Sequence, residues 1–275
     1  MASPDPCDFD PANPAHVATW DEASLWSALA GQLLLDRVPL DARCAMDLGT
    51  GAGFPGLELA ERLGPGALVV GVDPWRTALE RASAKARTWG VPGYVPVLAD
   101  GACLPLRAAC LHLVVSNLGV NNFADPDAAF AECRRVLAPG GVLAISTNVV
   151  GHFRELYDVF DDVLLRAGHA EARGRLRTHV AHRATVAGLT TMLARHGLRV
   201  TDVLERERAW RFRDGAALLD SHLVRIGFLP AWREVVGEPA GPVIEALREA
   251  LDARARDAGE LRLSVPLAVL VARAA

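Results

Sequence analysis

The residues best suited to bind a ligand are three glycines at alternate positions, Gly49, Gly51 and Gly53, directly after an apolar run that ends in Asp47. Glycine adopts positive φ angles and lets a ligand approach the backbone closely. Pro55 then opens a helical pattern, and the first turn of a helix leaves N–H groups for anionic or polar atoms. This order of strand, glycine turn and helix predicts a cradle for a nucleotide-type ligand.

Two classes of nucleotide fit this turn. Residues Gly51 to Gly56 match the G-x-G-x-x-G pattern of dinucleotide sites, which leaves an NAD(P)-dependent oxidoreductase as one alternative. The segment Asp47-Leu-Gly-Thr-Gly-Ala-Gly53 resembles the first motif of class I S-adenosylmethionine (SAM) dependent methyltransferases. A carboxylate at the strand tip suits the ammonium of SAM and would repel a pyrophosphate placed on it. We therefore favour SAM.

Further acidic residues end the next two predicted strands. Asp73 follows the apolar run of residues 67–72 at about the spacing expected of a ribose-binding acid, whose carboxylate accepts hydrogen bonds from vicinal hydroxyls. Asp100 follows the predicted strand Tyr94–Leu98, in which Pro96 indicates an edge position. In the methyltransferase family, an aspartate at this place contacts the adenine amino group.

Strands that end in polar residues and alternate with helices predict an α/β fold with a doubly wound, mainly parallel sheet. The passage Arg135-Val-Leu-Ala-Pro-Gly-Gly141 before a strand resembles the fifth motif of the same family. The resemblance implies a Rossmann-like, seven-stranded sheet with its last strand antiparallel. It divides the chain into an N-terminal helical cover (residues 1–40), a SAM-binding core (41–150), and substrate-side helices, insertions and closing strands (151–275).

The resemblance also implies which residues hold SAM and its product S-adenosylhomocysteine (SAH). The glycine turn would hold the methionine part, Asp73 the ribose, Asp100 and Ala102 the adenine, and Asn117 with Leu118 the sulfonium end. The full set is Asp47, Gly49, Thr50, Gly51, Gly53, Asp73, Pro74, Trp75, Asp100, Gly101, Ala102, Asn117 and Leu118.

Three polar residues are candidates for work on the acceptor. His179 or His182 could act as a general base for an oxygen or nitrogen nucleophile, although an exposed or hydrogen-bonded histidine is the commoner case. Asn122 could orient the acceptor; the alternative, and commoner, role for a loop asparagine is to cap its own loop. The histidines lie in the basic stretch Arg173–Arg183, which we expect to be a solvated loop.

The acceptor class follows from charge and from motifs. The formal net charge of −4 gives no general attraction to nucleic acid. Gly51-Ala-Gly-Phe-Pro-Gly56 is similar to the first motif of a ribosomal-RNA guanine methyltransferase family, but the fifth-motif region resembles small-molecule methyltransferases of ubiquinone and menaquinone biosynthesis. We expect a small-molecule acceptor, with RNA methylation and a non-catalytic SAM-binding protein as alternatives.

The composition indicates the cellular compartment and the kinds of site that the chain can form. The five scattered cysteines form no C-x-x-C pair, which favours reduced thiols and a bacterial, cytoplasmic protein. Residues 1–16 are rich in Pro and Asp rather than apolar, and no apolar run is long enough to cross a membrane. No cluster of His, Cys and acidic residues indicates a metal site. The sequence leaves the oligomeric state open.

Overall fold

The computed structural model describes residues 9–22 and 25–275. The prolines of residues 2–15 predict a flexible segment, whose part before Phe9 lies outside the described residues, and the first helix begins at Pro14.

The described chain contains a seven-stranded sheet. Its strands are β1 (Cys44–Leu48), β2 (Leu68–Asp73), β3 (Tyr94–Leu98), β4 (Leu111–Asn117), β5 (Leu137–Asn148), β6 (Leu198–Phe212) and β7 (Leu261–Ala274). The strand order is β3-β2-β1-β4-β5-β7-β6, with parallel pairing from β3 to β5 and antiparallel pairing of β7 with β5. The expected fold is confirmed, including the edge position of β3.

Helices connect and cover these strands. They are α1 (Pro14–Glu22), α2 (Leu25–Leu35), α3 (Gly56–Leu63), α4 (Arg76–Trp89), α5 (Pro126–Val136), α6 (Arg154–Arg166), α7 (Ala170–Ala181), α8 (Val186–Arg195), α9 (Gly215–Leu219), α10 (His222–Gly227), α11 (Leu229–Val236) and α12 (Gly241–Ala258). A single 3₁₀ turn, Val120–Asn122, follows β4.

The chain forms two compact units. The sheet unit comprises Asp10–Asn148, Ala184–Glu205 and Leu267–Ala275. The helical unit comprises Val149–Arg183 and Arg206–Pro266, together with Phe9. Strands β6 and β7 thus contribute residues to both units. The division into residues 1–40, 41–150 and 151–275 by role stays a prediction.

The central strands of the sheet unit are buried on both faces. Leu113 to Val115 in β4 and Leu143 to Ile145 in β5 are fully buried. Parallel strands covered by helices on both faces require such continuous apolar runs, because neither face meets water. This is why these strands were recognisable from the sequence.

Two expectations about local structure were wrong. The basic stretch Arg173–Arg183 is not a solvated loop, because residues 170–181 form α7, whose Ala172 and Leu176 are buried one turn apart. The pattern of residues 216–229 predicts a helix, but the structure divides this range among α9, α10 and the start of α11. By contrast, the sequence predicts Thr185 as the cap of a helix that runs to His196, and its Oγ1 accepts a hydrogen bond from the backbone N of Gly188 at 3.0 Å, so this cap of α8 is confirmed.

Candidate functional site

The glycine turn lies between β1 and α3 in the sheet unit. Gly49, Gly51 and Gly53 all have positive φ angles, of 76°, 51° and 103°. The backbone N of Gly49 and that of Thr50 donate to the carbonyl of Val72, at 2.8 Å and 3.1 Å, which anchors the turn on β2. A Cβ placed on Gly51 would meet no atom within 4 Å, so the turn presents open space at this residue.

Asp73, the last residue of β2, holds this turn in place. Its Oδ2 accepts a hydrogen bond from the backbone N of Gly51, and its Oδ1 accepts one from the backbone N of Trp75, both at 2.8 Å. Burial raises the pKa of Asp73, and the two backbone N–H groups oppose that rise. Because each carboxylate oxygen accepts more than one hydrogen bond, Asp73 retains acceptor capacity for two hydroxyl groups.

Asp47, in β1, is fully buried beneath the turn. Its Oδ2 accepts a hydrogen bond from the backbone N of Gly56 at 2.8 Å, whereas its buried Oδ1 has no hydrogen-bond partner. Burial raises the pKa of Asp47 to about 7, with the nearby Thr50 and Gly56 opposing the rise and Asp73 adding to it. A buried oxygen that lacks a donor is costly, and a cationic group would satisfy it. The site therefore fits the ammonium of SAM.

Tyr94, in β3, supports the turn from the side, and sequence reasoning missed it. Its hydroxyl lies 2.9 Å from the Oγ1 of Thr50, which is buried. The ring fits only because residue 71 is glycine, since a Cβ there would lie 2.1 Å from the Tyr94 hydroxyl. Burial raises the pKa of Tyr94. The pairing of Gly71 with Pro96 across β2 and β3 is the register that brings the ring here.

The predicted adenine residues follow β3. Asp100 is exposed, and its Oδ1 accepts a hydrogen bond from the backbone N of Ala102 at 2.8 Å, which shapes a tight turn around Gly101. Pro74 is exposed at the end of β2, and the Nε1 of Trp75 donates to the carbonyl of Pro11 at 2.7 Å.

The residues predicted for the sulfonium end follow β4. The Nδ2 of Asn117 donates to the carbonyl of Ser27 at 3.0 Å, and its Oδ1 accepts from the Oγ of Ser146 at 2.6 Å. Leu118 has a positive φ of 60°, which is strained for a side chain other than glycine. The exposed Asn122 donates from Nδ2 to the carbonyl of Leu118 at 3.3 Å. Its amide thus caps its own loop.

The two candidate bases lie in the helical unit. The Nε2 of His179 is 3.2 Å from the hydroxyl of Tyr157, which also accepts a hydrogen bond from the Nε1 of Trp232 at 3.4 Å. Burial, the nearby Arg183 and His182 lower the pKa of His179, so its imidazole is neutral at pH 7. His182 is exposed and directly follows α7.

The structure brings the predicted cofactor residues to one edge of one sheet. Leu48 pairs with Val72 and Asp73 with Leu98, so β1, β2 and β3 end side by side, and Asn117 ends β4. In open α/β sheets, ligands bind at the carboxyl ends of the strands where the strand order reverses, which is between β1 and β4 here. A glycine turn, a buried acid with an unsatisfied oxygen, and an acid at the end of β2 together have the arrangement expected of a nucleoside site in a Rossmann-like methyltransferase.

Several known proteins are similar to this chain. The family described as "Methyltransferase domain" matches residues 46–145. A malonyl-[acyl-carrier protein] O-methyltransferase of Gallionella capsiferriformans (strain ES-2) is 30% identical over 232 residues, which are 74% of this chain and 78% of that protein. A demethylmenaquinone methyltransferase of Thermus thermophilus is 39% identical over 122 residues, 44% of this chain and 52% of that protein. The solved structure of a SAM-dependent methyltransferase from Aquifex aeolicus has a TM-score of 0.55 at 18% identity, covering 70% of this chain and 92% of that one.

The chain belongs to the class I SAM-dependent methyltransferases, and it is an enzyme that transfers a methyl group to a small-molecule acceptor. The prediction from the first and fifth motifs is thereby confirmed. The comparisons give no support to an NAD(P)-dependent oxidoreductase, a ribosomal-RNA methyltransferase or a non-catalytic SAM-binding protein.

Two kinds of feature are absent from the described residues. Within residues 9–22 and 25–275, no group of three or more His, Cys, Asp or Glu side chains is placed to hold a metal ion. Over the same residues, no helix combines the length and the apolar character needed to cross a membrane.

Proposed function

We propose that the sheet unit binds SAM through the glycine turn and the strand-end residues around it, and that this chain methylates a small organic acceptor. The observation that carries the proposal is the pair of hydrogen bonds that the carboxylate of Asp73 accepts from the backbone N–H groups of Gly51 and Trp75, which joins the turn to the end of β2. The cofactor residues proposed are those predicted from the sequence, with Tyr94 added as a support of Thr50.

Each residue has a physical role in this proposal. Asp73 accepts hydrogen bonds from the ribose hydroxyls, Asp47 offers its unpaired Oδ1 to the ammonium group, and Asp100 with Ala102 receives the adenine. When bound, SAM supplies a methyl group that is already activated by a positively charged sulfur. The protein therefore contributes mainly proximity and alignment.

Proton removal from the acceptor is assigned to the helical unit. The neutral imidazole of His179 can accept a proton from an oxygen or nitrogen nucleophile, and His182 is the second candidate. Asn122 is proposed only to shape the loop after β4, because its amide already binds the Leu118 carbonyl. The names of the relatives specify different acceptors, so we extend only their shared step, methyl transfer, to this chain.

The four cysteines that the structure describes as free, Cys44, Cys103, Cys110 and Cys133, support a reducing compartment. We therefore place the reaction in the cytoplasm within this proposal.

Calorimetric titration with SAH tests the cofactor site. We expect the wild-type protein to bind SAH and Asp73→Ala to bind it about tenfold more weakly or worse, the loss expected for charge-assisted hydrogen bonds to a ribose. The exposed Asp41, before β1, is a matched control, and Asp41→Ala should retain wild-type affinity. The wild-type protein is also titrated with NAD⁺ and NADH, which tests the oxidoreductase alternative. Wild-type protein that binds NADH and ignores SAH would refute the proposal.

A further inference from the structure

One buried amide at the carboxyl edge of the sheet unit lacks a partner for its N–H groups. Asn148 is the last residue of β5 and is only 4% exposed, and within the described residues its Nδ2 makes no hydrogen bond. A buried donor without an acceptor costs free energy, because the water that it lost has not been replaced. Asn148 is therefore a place where the lone pair of another molecule would lower the free energy.

Asn117, which ends the neighbouring strand β4, is the matched case. Its Nδ2 donates to the carbonyl of Ser27 at 3.0 Å, and its Oδ1 accepts from the Oγ of Ser146 at 2.6 Å. Asn117 and Ser146 are paired across β4 and β5, and residues two apart in a strand point to the same face, so Asn148 lies on the face of Asn117. Of these two buried amides on one face, that of Asn117 has partners in the protein and that of Asn148 has an unpaired donor.

Asn148 belongs to the same strand-end region as the glycine turn. The Nδ2 of Asn121, in the 3₁₀ turn after β4, donates to the carbonyl of Asn148 at 3.4 Å. The residue before this 3₁₀ turn lies against the glycine turn, since a Cβ placed on Gly49 would be 3.7 Å from the Cα of Gly119. The segment that follows β4 thus contacts the glycine turn at one end and Asn148 at the other.

The proposed SAM positions extend away from β5. The acids proposed for the ammonium, the ribose and the adenine lie on or after β1, β2 and β3, which are on one side of β4, whereas β5 is on the other side. Asp47 and Ala144 both lie level with Val115 of β4, so Asn148 is about 10 Å from Asp47 across the sheet and about 13 Å along the strands. The partner of this donor is therefore an atom of a molecule other than SAM.

We propose that the Nδ2 of Asn148 binds a carbonyl or carboxylate oxygen of the methyl acceptor and so positions the acceptor beside the sulfonium end. The inference rests on the proposed function, because it names the acceptor chemistry of that site. The unpaired group is a donor, and the backbone carbonyl of Asn148 already accepts from Asn121 and, at 3.2 Å, from the Oγ1 of Thr147. An oxygen that accepts without donating fits this place, since a hydroxyl would need an acceptor for its own hydrogen.

Unfolding by urea tests whether the donor is unsatisfied in the free protein. Asn148→Leu replaces the amide by an apolar group of similar size, and we expect the midpoint to rise by about 0.5 M, because the cost of the lone donor disappears. Asn117→Leu is the matched control, and its midpoint should fall, because this variant loses two hydrogen bonds. A midpoint of Asn148→Leu at or below that of the wild type overturns the proposal, since the amide would then be satisfied by a structural water.

The side-chain amide signals of isotope-labelled protein saturated with SAH test the ligand. The Asn148 signals are identified by their absence from the spectrum of Asn148→Leu, and the protein is titrated with acetate and separately with acetone. We expect a saturable downfield shift of the Asn148 Nδ2 protons, which sodium chloride at equal ionic strength does not produce. The signals of the exposed Asn122, whose Nδ2 is bonded to the Leu118 carbonyl, are the internal control and should stay in place.

The two probes separate the two sources of the oxygen. A shift with acetate assigns a carboxylate, and a shift with acetone alone assigns a neutral carbonyl. The absence of a shift with both probes overturns the proposal.

Binding of SAH distinguishes this inference from the proposed function. Asn148→Leu should bind SAH as tightly as the wild type, because the cofactor does not reach β5. A loss of about tenfold or more in the folded variant would place Asn148 in the cofactor site, which overturns the acceptor assignment and leaves SAM binding intact. Failure of the wild-type protein to bind SAH contradicts the proposed function, and with it this inference.

Discussion

Asp47, Asp73 and Asp100 have the same side chain but very different surroundings. Asp47 is fully buried with one unsatisfied oxygen, Asp73 is buried with both oxygens on backbone N–H groups, and Asp100 is exposed with one such bond. Burial raises the pKa of Asp47 to about 7. The three acids are therefore suited to three different groups: a cation, a pair of hydroxyls and a neutral amino group.

The buried Asp47 should make stability depend on pH. Its pKa is raised from 3.8 to about 7 on folding, so the folded chain holds a proton that the unfolded chain releases. Its contribution to the free energy of unfolding is fully present below about pH 3.8 and is lost as pH rises through about 7. The loss is at most about 4 kcal/mol.

Asp47→Asn removes this titration while keeping an oxygen for the Gly56 N–H. We expect the free energy of unfolding of the variant, measured with urea at several pH values, to fall less between about pH 4 and pH 7 than that of the wild type. Asp41→Asn should follow the wild-type curve. Parallel curves for wild type and Asp47→Asn would show that Asp47 does not hold a proton in this range.

The Tyr94 hydroxyl is predicted to position the glycine turn through Thr50. Tyr94→Phe removes the 2.9 Å hydrogen bond and leaves the buried Thr50 Oγ1 without it. We expect a loss of about 1–2 kcal/mol in the free energy of unfolding and a several-fold weaker affinity for SAH. Thr50→Val should have a similar effect, and the double variant should cost less than the sum of the two. Full additivity in SAH affinity would mean that the two hydroxyls act independently.

At the scale of elements, charged contacts attach the N-terminal helix to the sheet unit. Asp21 in α1 accepts hydrogen bonds from the Nε of Arg81 at 2.6 Å and from the Nζ of Lys85 at 2.9 Å, both on α4. The indole of Trp75 holds the segment before α1 through the carbonyl of Pro11. Because Trp75 follows Asp73 closely, α1 is connected to the proposed ribose site.

Asp21→Asn should loosen α1. We expect the amides of residues 15–22 to exchange with deuterium several-fold faster, since a two-partner ion pair at a partly exposed site is worth about 1 kcal/mol. Glu22→Gln is the control, because Glu22 is 71% exposed and, within the part of the chain that the structure describes, pairs with Arg81 alone, so the exchange of this variant should stay close to wild type. Addition of salt should reduce the difference between the variants by screening. Equal exchange in Asp21→Asn and wild type would show that apolar contacts alone hold α1.

Elements differ in how far their sequence predicts them. The strands β2 and β4 contain apolar runs, residues 69–72 and 113–115, that are buried, as a strand covered on both faces requires. Helix α7 was missed because its arginines dominate the pattern, although Ala172 and Leu176 face the interior. What makes it helical is the burial of these two residues and the pairing of Arg173 with Asp161 on α6, neither of which follows from local sequence.

At the scale of the whole molecule, charge is consistent with a small-molecule enzyme. The net charge is −4, and the basic stretch Arg173–Arg183, the only local sequence feature that favours RNA methylation, includes a helix whose Arg173 and Arg175 bond within the helical unit. These two arginines are engaged by protein groups, which weakens the local argument for nucleic acid.

The sequence by itself determined the class of the fold and predicted where the proposed cofactor residues lie, because glycines at alternate positions and acids at strand ends recur at fixed places in a parallel sheet. It determined the cap of α8 for the same reason: these signals depend on neighbours within a few residues. The tertiary structure alone revealed the notch in which the Tyr94 hydroxyl meets Thr50 beside Gly71. This contact depends on which distant residues share a buried space, and burial is what turns a hydroxyl into a group that must be satisfied.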